Sequence, residues 1–195
     1  MDHVSPEVLD AAVKGTRLAE PETLRGQLDP HRPTLVNFLR HFGCCFCREI
    51  VKDLRIASEQ ADGHGGERRY PKVVFVHMAD VATAGSFFGK YWPGATSISD
   101  PDKRLYHAFG LTRGTLGQMF GPSSFMCGIR AVRKGHGIGK AVGDPWMMPG
   151  QFLLEPSVPG ESARISWRYE ARHAGDHPDV AALASEGGTV SASPR

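Results

Sequence analysis

Cys44, Cys45 and Cys47 crowd into four positions of a 195-residue chain that holds four cysteines in all. Cys44 and Cys47 form a Cys-x-x-Cys pair, and the two residues between them let the sulfurs close a small disulfide ring. The reactive form of such a group is the thiolate, which is both the nucleophile and the metal ligand. The spacing therefore suits thiol–disulfide exchange, half of a zinc site, or a buried structural pair. Arg40 and His41 stand just upstream, and either cation favours a thiolate nearby. Strand alternation sends neighbouring side chains to opposite faces, so at most one of the two is expected to serve.

The flanking residues position that pair. Leu35 to Leu39 is mostly apolar, as expected of a central strand covered on both faces. After the cysteines, Cys47, Ile50, Val51, Leu54, Ala57 and Ala61 recur at helical spacing. The cysteines thus fall where a strand hands over to a helix N-terminus. Free backbone N–H groups and the positive end of the helix dipole favour an anion there. A Cys-x-x-Cys in a strand–turn–helix context reads as a thioredoxin-like redox motif.

The rest of the chain supplies a scaffold of the same kind. Residues 72–78 are β-branched and apolar, so strands 34–40 and 72–78 flank helix 46–61 and predict parallel pairing with a right-handed crossover. A helix over 82–92 carries Phe87, Phe88 and Tyr91 on one side; a short strand follows at 95–99, then a helix at 103–109 closed by Gly110. A helix is expected over 125–133. Residues 134–140 read as a flexible basic loop, because the phosphate-loop pattern is absent. Strands 151–154 and 164–170 make a hairpin, and 178–184 a final helix. In the lead-in, Ser5 caps a helix with Pro6 in its first turn, and Leu9, Ala12 and Val13 form one apolar stripe. The expected division is an N-terminal extension at 1–33, one domain at 34–184 and a disordered tail at 185–195. The expected class is α/β, a thioredoxin-like fold with a central mixed sheet and helices on both faces.

Composition narrows the function. Hydrophobic residues make up 41%, enough for a real core, and the net charge of +2 gives no reason to propose nucleic acid or a membrane surface. The N-terminal residues lack the apolar core of a signal peptide, and no apolar run reaches membrane-helix length. Crowded cysteines suit a reducing compartment. These readings predict a cytoplasmic protein without cofactor or resident metal.

Three stretches carry a family resemblance. Residues 40–49, Arg-His-Phe-Gly-Cys-Cys-Phe-Cys-Arg-Glu, resemble the active-site signature of the peroxiredoxin-like branch of the AhpC/TSA (alkyl hydroperoxide reductase/thiol-specific antioxidant) superfamily. Residues 100–111 and Gly143-Asp144-Pro145 ahead of Phe152-Leu153-Leu154 agree, as does 172–178. The resemblance spans roughly 34–184 and implies a thioredoxin fold and a thiol redox role for Cys44 and Cys47. It also implies a disulfide or hydroperoxide substrate and a cellular thiol reductant of thioredoxin or glutathione type. The chain departs from ordinary peroxiredoxins at three positions. Counted back from Cys47, Cys44 stands where they have Thr and Arg40 where they have Pro, and Pro149 replaces an Arg. Pro149 is either a cis-proline facing the cysteine pair or an ordinary turn proline.

Cys45 reads as a small buried hydrophobe and Cys127 as a spectator or a resolving thiol on a loop. Arg172, His173, Asp176 and His177 either line a pocket or cap the last helix. Three functions compete: a thiol–disulfide oxidoreductase with peroxiredoxin-like antioxidant activity, a Zn/Cu module built on Cys44, Cys45 and Cys47 with His41 or Cys127 as a fourth ligand, and a redox-inert interaction domain.

Overall fold

In the computed structural model the described residues are 2–15, 21–63, 70–122 and 139–180, with 126, 129, 133 and 135 between the last two stretches. Strands β1 (His3–Val4), β2 (Ala12–Gly15), β3 (Pro21–Thr23), β4 (Thr34–Phe38), β5 (Lys72–His77), β6 (Thr96–Ser99), β7 (Gly150–Leu154) and β8 (Ala163–Glu170) make one mixed sheet in the order β1-β8-β7-β4-β5-β6-β2-β3. β4, β5 and β6 run parallel, with Thr34 opposite Lys72 and Phe38 opposite Val76. β7 and β8 form the expected hairpin, and β7 runs antiparallel to β4. Helix α3 (Cys45–Gly63) crosses from β4 to β5. Every residue of β4 is buried, which is why that strand reads as an apolar run rather than an alternation.

The sheet separates two cores. On one face Leu35, Phe75, Leu153 and Trp167 meet Cys47, Ile50, Val51 and Leu54 of α3 and Phe87 and Phe88 of α4 (Val81–Tyr91). On the other, Val36, Phe38, Val74, Val76 and Phe152 meet Leu9 of α1 (Pro6–Leu9), Leu24 of α2 (Leu24–Gln27) and Leu105 and Tyr106 of α5 (Arg104–Ala108). Asp80 caps α4 by accepting from the Thr83 amide at 2.8 Å. Gly110, at φ 76°, closes α5: the Gly110 amide donates to the His107 carbonyl and the Leu111 amide to the Tyr106 carbonyl. The Tyr106 hydroxyl donates to the Leu39 carbonyl (2.5 Å), with the Val76 carbonyl at 3.0 Å, and so ties α5 to the end of β4.

Three expectations change. Residues 1–33 are not a mere lead-in, because β1 pairs with β8 and β2 pairs with β6. Ala12 and Val13 lie in strand β2 and not on a helical stripe; α1 stops at Leu9 and Asp10 already follows as its C-cap. The final helix does not begin at Pro178, since Pro178 and Asp179 are irregular. The expected helix over 125–133, Cys127, and everything from Ala181 on, tail included, fall wholly or largely outside the described residues. A short helix the sequence reading did not propose, α6 (Leu116–Phe120), carries a full capping box between Thr115 and Gln118.

Candidate active site

β4 ends at Phe38, and the chain leaves the sheet through Leu39, whose amide still donates to the Val76 carbonyl at 2.9 Å. The Cys44 amide donates back to the His41 carbonyl at 3.1 Å, closing a turn over 41–44. The Arg48 amide donates to the Cys44 carbonyl at 3.2 Å, so Cys44 takes the N-cap position of α3. A second segment is laid along this turn. His41 bridges Gly143, the Phe42 amide donates to the Val142 carbonyl, and the Gly139 amide donates to the Gly43 carbonyl. The approach is so close that a Cβ on Gly43 would run into the Gly139 and Lys140 carbonyls. Part of the glycine-rich stretch read as a flexible loop is thus a wall of the site.

Cys44, Cys45 and Cys47 are all free thiols, and all are buried, at 5%, 5% and 3% exposure. The Cys45 thiol and then the Cys47 thiol hydrogen-bond to the Cys44 sulfur; with the Arg40 charge and the Cys47 amide they outweigh burial and hold the Cys44 thiol well below the usual range. The same hydrogen bonds, together with burial, push the Cys45 and Cys47 thiols up. One thiolate therefore forms in this cluster, and it forms at Cys44. The donor role of Cys45 was missed in the sequence, where adjacency to Cys44 signalled only a residue too close to pair.

Arg40 is the cation that touches Cys44. Its guanidinium is buried, with Nη1 3.8 Å from the Cys44 sulfur and 3.5 Å from the Ala174 carbonyl, and Nη2 3.2 Å from Met119 Sδ and against the Pro145 carbonyl. His41 is half-buried, and burial holds its imidazole below the usual range against the pull of Cys44. Pro149 lines a pocket of about 20 Å³ that also takes in Cys47, Phe46, Asn37, Gln151, Tyr169 and His177. No described peptide bond is cis, so Pro149 takes the ordinary alternative.

Of the four late polar residues, His177 and Asp176 line that pocket, while Arg172 holds Asp176 through its amide and Nε, both at 2.9 Å. His173 keeps a buried Nδ1 without a hydrogen-bond partner. His177 Nε2 lies 3.4 Å from Glu49 Oε2, and Glu49 is fully buried one turn into α3. The sequence reading gave Glu49 no role; its spacing of four from both Cys45 and Asp53 was the available signal. Among the described residues the one three-residue grouping with metal-ligand geometry is Glu49, Asp53 and His177, with ligand atoms within 4.8 Å of one another. Cys44, Cys45 and Cys47 form no such grouping, which removes the geometric basis for a soft-metal module on the cysteines. No helix among the described residues is long and apolar enough to cross a membrane.

Comparison with known proteins agrees with this scaffold. A family model described as AhpC/TSA antioxidant enzyme matches residues 65–173, more than half of the chain. The match begins after the cysteine pair, so Cys44 and Cys47 stand on geometry and spacing. No curated protein matches the chain. Among solved structures, the Xanthomonas campestris bacterioferritin comigratory protein, studied for alkyl peroxide reduction, is 15% identical with a TM-score of 0.62 over 97% of each chain. The Mycobacterium tuberculosis peroxidoxin BcpB is 12% identical with a TM-score of 0.59, over 96% of this chain and 94% of its own. The M. tuberculosis protein dsbF, solved in mixed oxidised and reduced forms, is 15% identical with a TM-score of 0.50, over 92% of this chain and 98% of its own. At these identities the likenesses speak for the fold, which is thioredoxin-like.

Proposed function

The chain belongs to the AhpC/TSA antioxidant-enzyme family and is a thiol-dependent oxidoreductase, and on that premise we propose that Cys44 is its attacking thiolate and Cys47 its resolving thiol. One observation carries the reading: two thiols and the Arg40 guanidinium converge on the Cys44 sulfur. With a disulfide substrate, the Cys44 thiolate attacks one sulfur and the other leaves as a thiolate. Cys47 then gives up its proton and attacks Cys44, expelling the bound substrate thiolate and closing the Cys44–Cys47 disulfide. With a hydroperoxide, Cys44 takes the distal oxygen and becomes a sulfenic acid while the alkoxide leaves and takes up a proton. Condensation with the Cys47 thiol releases water and closes the same disulfide. A thioredoxin- or glutathione-type thiol donor would return the pair to the reduced state.

Each neighbour has a part. Hydrogen bonds from Cys45 and Cys47 hold the charge on Cys44 before attack. Arg40 is placed to balance negative charge on the leaving atom as well as on the thiolate. Burial keeps Cys47 protonated until Cys44 has reacted, which sets the order of the two sulfurs.

Trapping with a protein disulfide tests the assignment. Cys47→Ser is expected to accumulate a mixed disulfide through Cys44, because nothing resolves it, while Cys44→Ser traps little. If Cys44→Ser reacts with disulfide or peroxide at the wild-type rate and Cys47→Ser is inert, Cys47 is the attacking sulfur and the ordinary peroxiredoxin arrangement is restored.

A further inference from the structure

The mechanism uses Arg40 but leaves open what aims it. Its guanidinium sits at the end of β4 with no carboxylate among its printed partners: it rests on two carbonyls, a thioether and the Cys44 sulfur. One of the carbonyls belongs to Pro145, so the loop that carries Pro145 decides where the charge lies. That loop is built around Asp144. Asp144 Oδ1 accepts from the Trp146 amide at 3.0 Å, and its carbonyl accepts from the Met147 amide at 3.1 Å. Asp144 Oδ2 takes Lys103 Nζ at 3.2 Å and Arg113 Nε at 3.4 Å.

Two backbone features show how closely the arrangement is specified. Gly143 has φ 119°, and a Cβ there would press to 2.9 Å on the Arg40 carbonyl, so only glycine lets the loop lie against this turn. Lys103, at φ 58°, is the one non-glycine residue with positive φ among the described residues. Such a conformation persists only where its surroundings over-determine it, and it is a pointer to function. Here it brings the Lys103 ammonium onto Asp144. The carboxylate stays charged, because the Trp146 amide, Lys103 and Arg113 outweigh its burial.

We propose that Asp144 is a positioning residue, which locks the turn over 143–146 so that the Pro145 carbonyl holds Arg40 against the Cys44 sulfur. The proposal rests on the reading of Cys44 as the attacking thiolate. The titratable and charged groups around that sulfur are Arg40 and His41 ahead of the helix and Cys45 and Cys47 on it, with Arg48 donating to the Phe42 carbonyl at 3.2 Å. Lys103 and Arg113 face Asp144. None of these except Arg40 links the Asp144 loop to Cys44 directly.

The test is iodoacetamide labelling of Cys44 in the full chain, read by mass spectrometry across pH. Asp144→Asn keeps an acceptor for the Trp146 amide but loses the charge that binds Lys103 and Arg113. It is expected to slow labelling at pH 6 about tenfold, the effect of one pKa unit on the thiolate fraction, and to match wild type at alkaline pH where the thiolate is complete. Arg40→Met should act in the same direction, and Arg40→Met/Asp144→Asn should be no slower than Arg40→Met alone, because the two act through one contact. If Arg40→Met slows labelling and Asp144→Asn does not, Asp144 has no positioning role while the Cys44 reading stands. If Arg40→Met labels like wild type, the electrostatic reading of Cys44 itself fails. A slowing equal at every pH would mark a general loosening and overturn the proposal. Should Asp144→Asn fail to fold, Lys103→Met removes one of the two cations and is expected to give a smaller, pH-dependent slowing; wild-type labelling there overturns the proposal.

Discussion

His77 shows what burial does to a single titratable group when nothing compensates. It ends β5 at 2% exposure, its ring 5.0 Å from that of Phe42 and 6.0 Å from that of Phe88, and neither ring nitrogen has a hydrogen-bond partner. Burial in this aromatic pocket brings its pKa down to about 4. An unfolded histidine titrates near 6.5, so between these values the unfolded chain binds a proton that the folded chain refuses. Stability is therefore expected to fall as the pH drops from about 6.5 toward about 4, with no contribution from His77 above that window. His77→Phe removes the group, and denaturant unfolding across this range should show a flatter pH dependence. An unchanged slope would mean that other groups set it. The same burial acts differently on Cys44, where three donors and a guanidinium reverse its sign. The contrast between the two residues is the chemistry of the site in small.

At the scale of elements, the active-site turn is held by the segment over 139–143 as much as by β4 and α3. Gly43 is the contact point, because its missing Cβ lets the Gly139 and Lys140 carbonyls approach. The obstacle to a larger residue is backbone, which cannot swing aside like a flexible side chain. Gly43→Ala is expected to cost about 1–3 kcal/mol in unfolding free energy, as overpacking does, and to slow Cys44 reactivity because the 41–44 turn is displaced. Chemical denaturation and thiol labelling of the same variant measure both. A variant as stable and as reactive as wild type would show that the segment is not a wall of the site. Helix α3 was legible from its apolar spacing, and α4 and α5 from their aromatic clusters and Gly110. The 139–143 wall was not, because its partner is almost a hundred residues away and glycine spacing carries no signal about what approaches it.

For the whole molecule, the unexpected part is the use of residues 1–33. β1 extends the sheet beyond β8 and β2 extends it beyond β6, while Val4, Leu9 and Leu24 are buried in the core beneath β4 and β5. Deleting residues 1–15 removes two strands and two core side chains together. Fully burying one such side chain contributes about 1.5–3 kcal/mol, so the deletion is expected to lower the melting temperature and to expose edges that promote aggregation. Thermal unfolding and light scattering test this; a truncated chain as stable and monodisperse as the full one would make 1–15 dispensable.

Local pattern was enough for the strand, turn and helix around Cys44 and Cys47, the parallel pairing of β4 with β5, and the β7–β8 hairpin. Each of these rests on side-chain periodicity or on connections between neighbours in the chain, which a sequence carries directly. The choice of Arg40 over His41, the donor role of Cys45, the burial of Glu49 against His177, and the seat of Arg40 on Pro145 were decided only by tertiary structure. They depend on which distant segments are brought together and on how much water is shut out. Both set the local electrostatics, and neither is written in the spacing of residues along the chain.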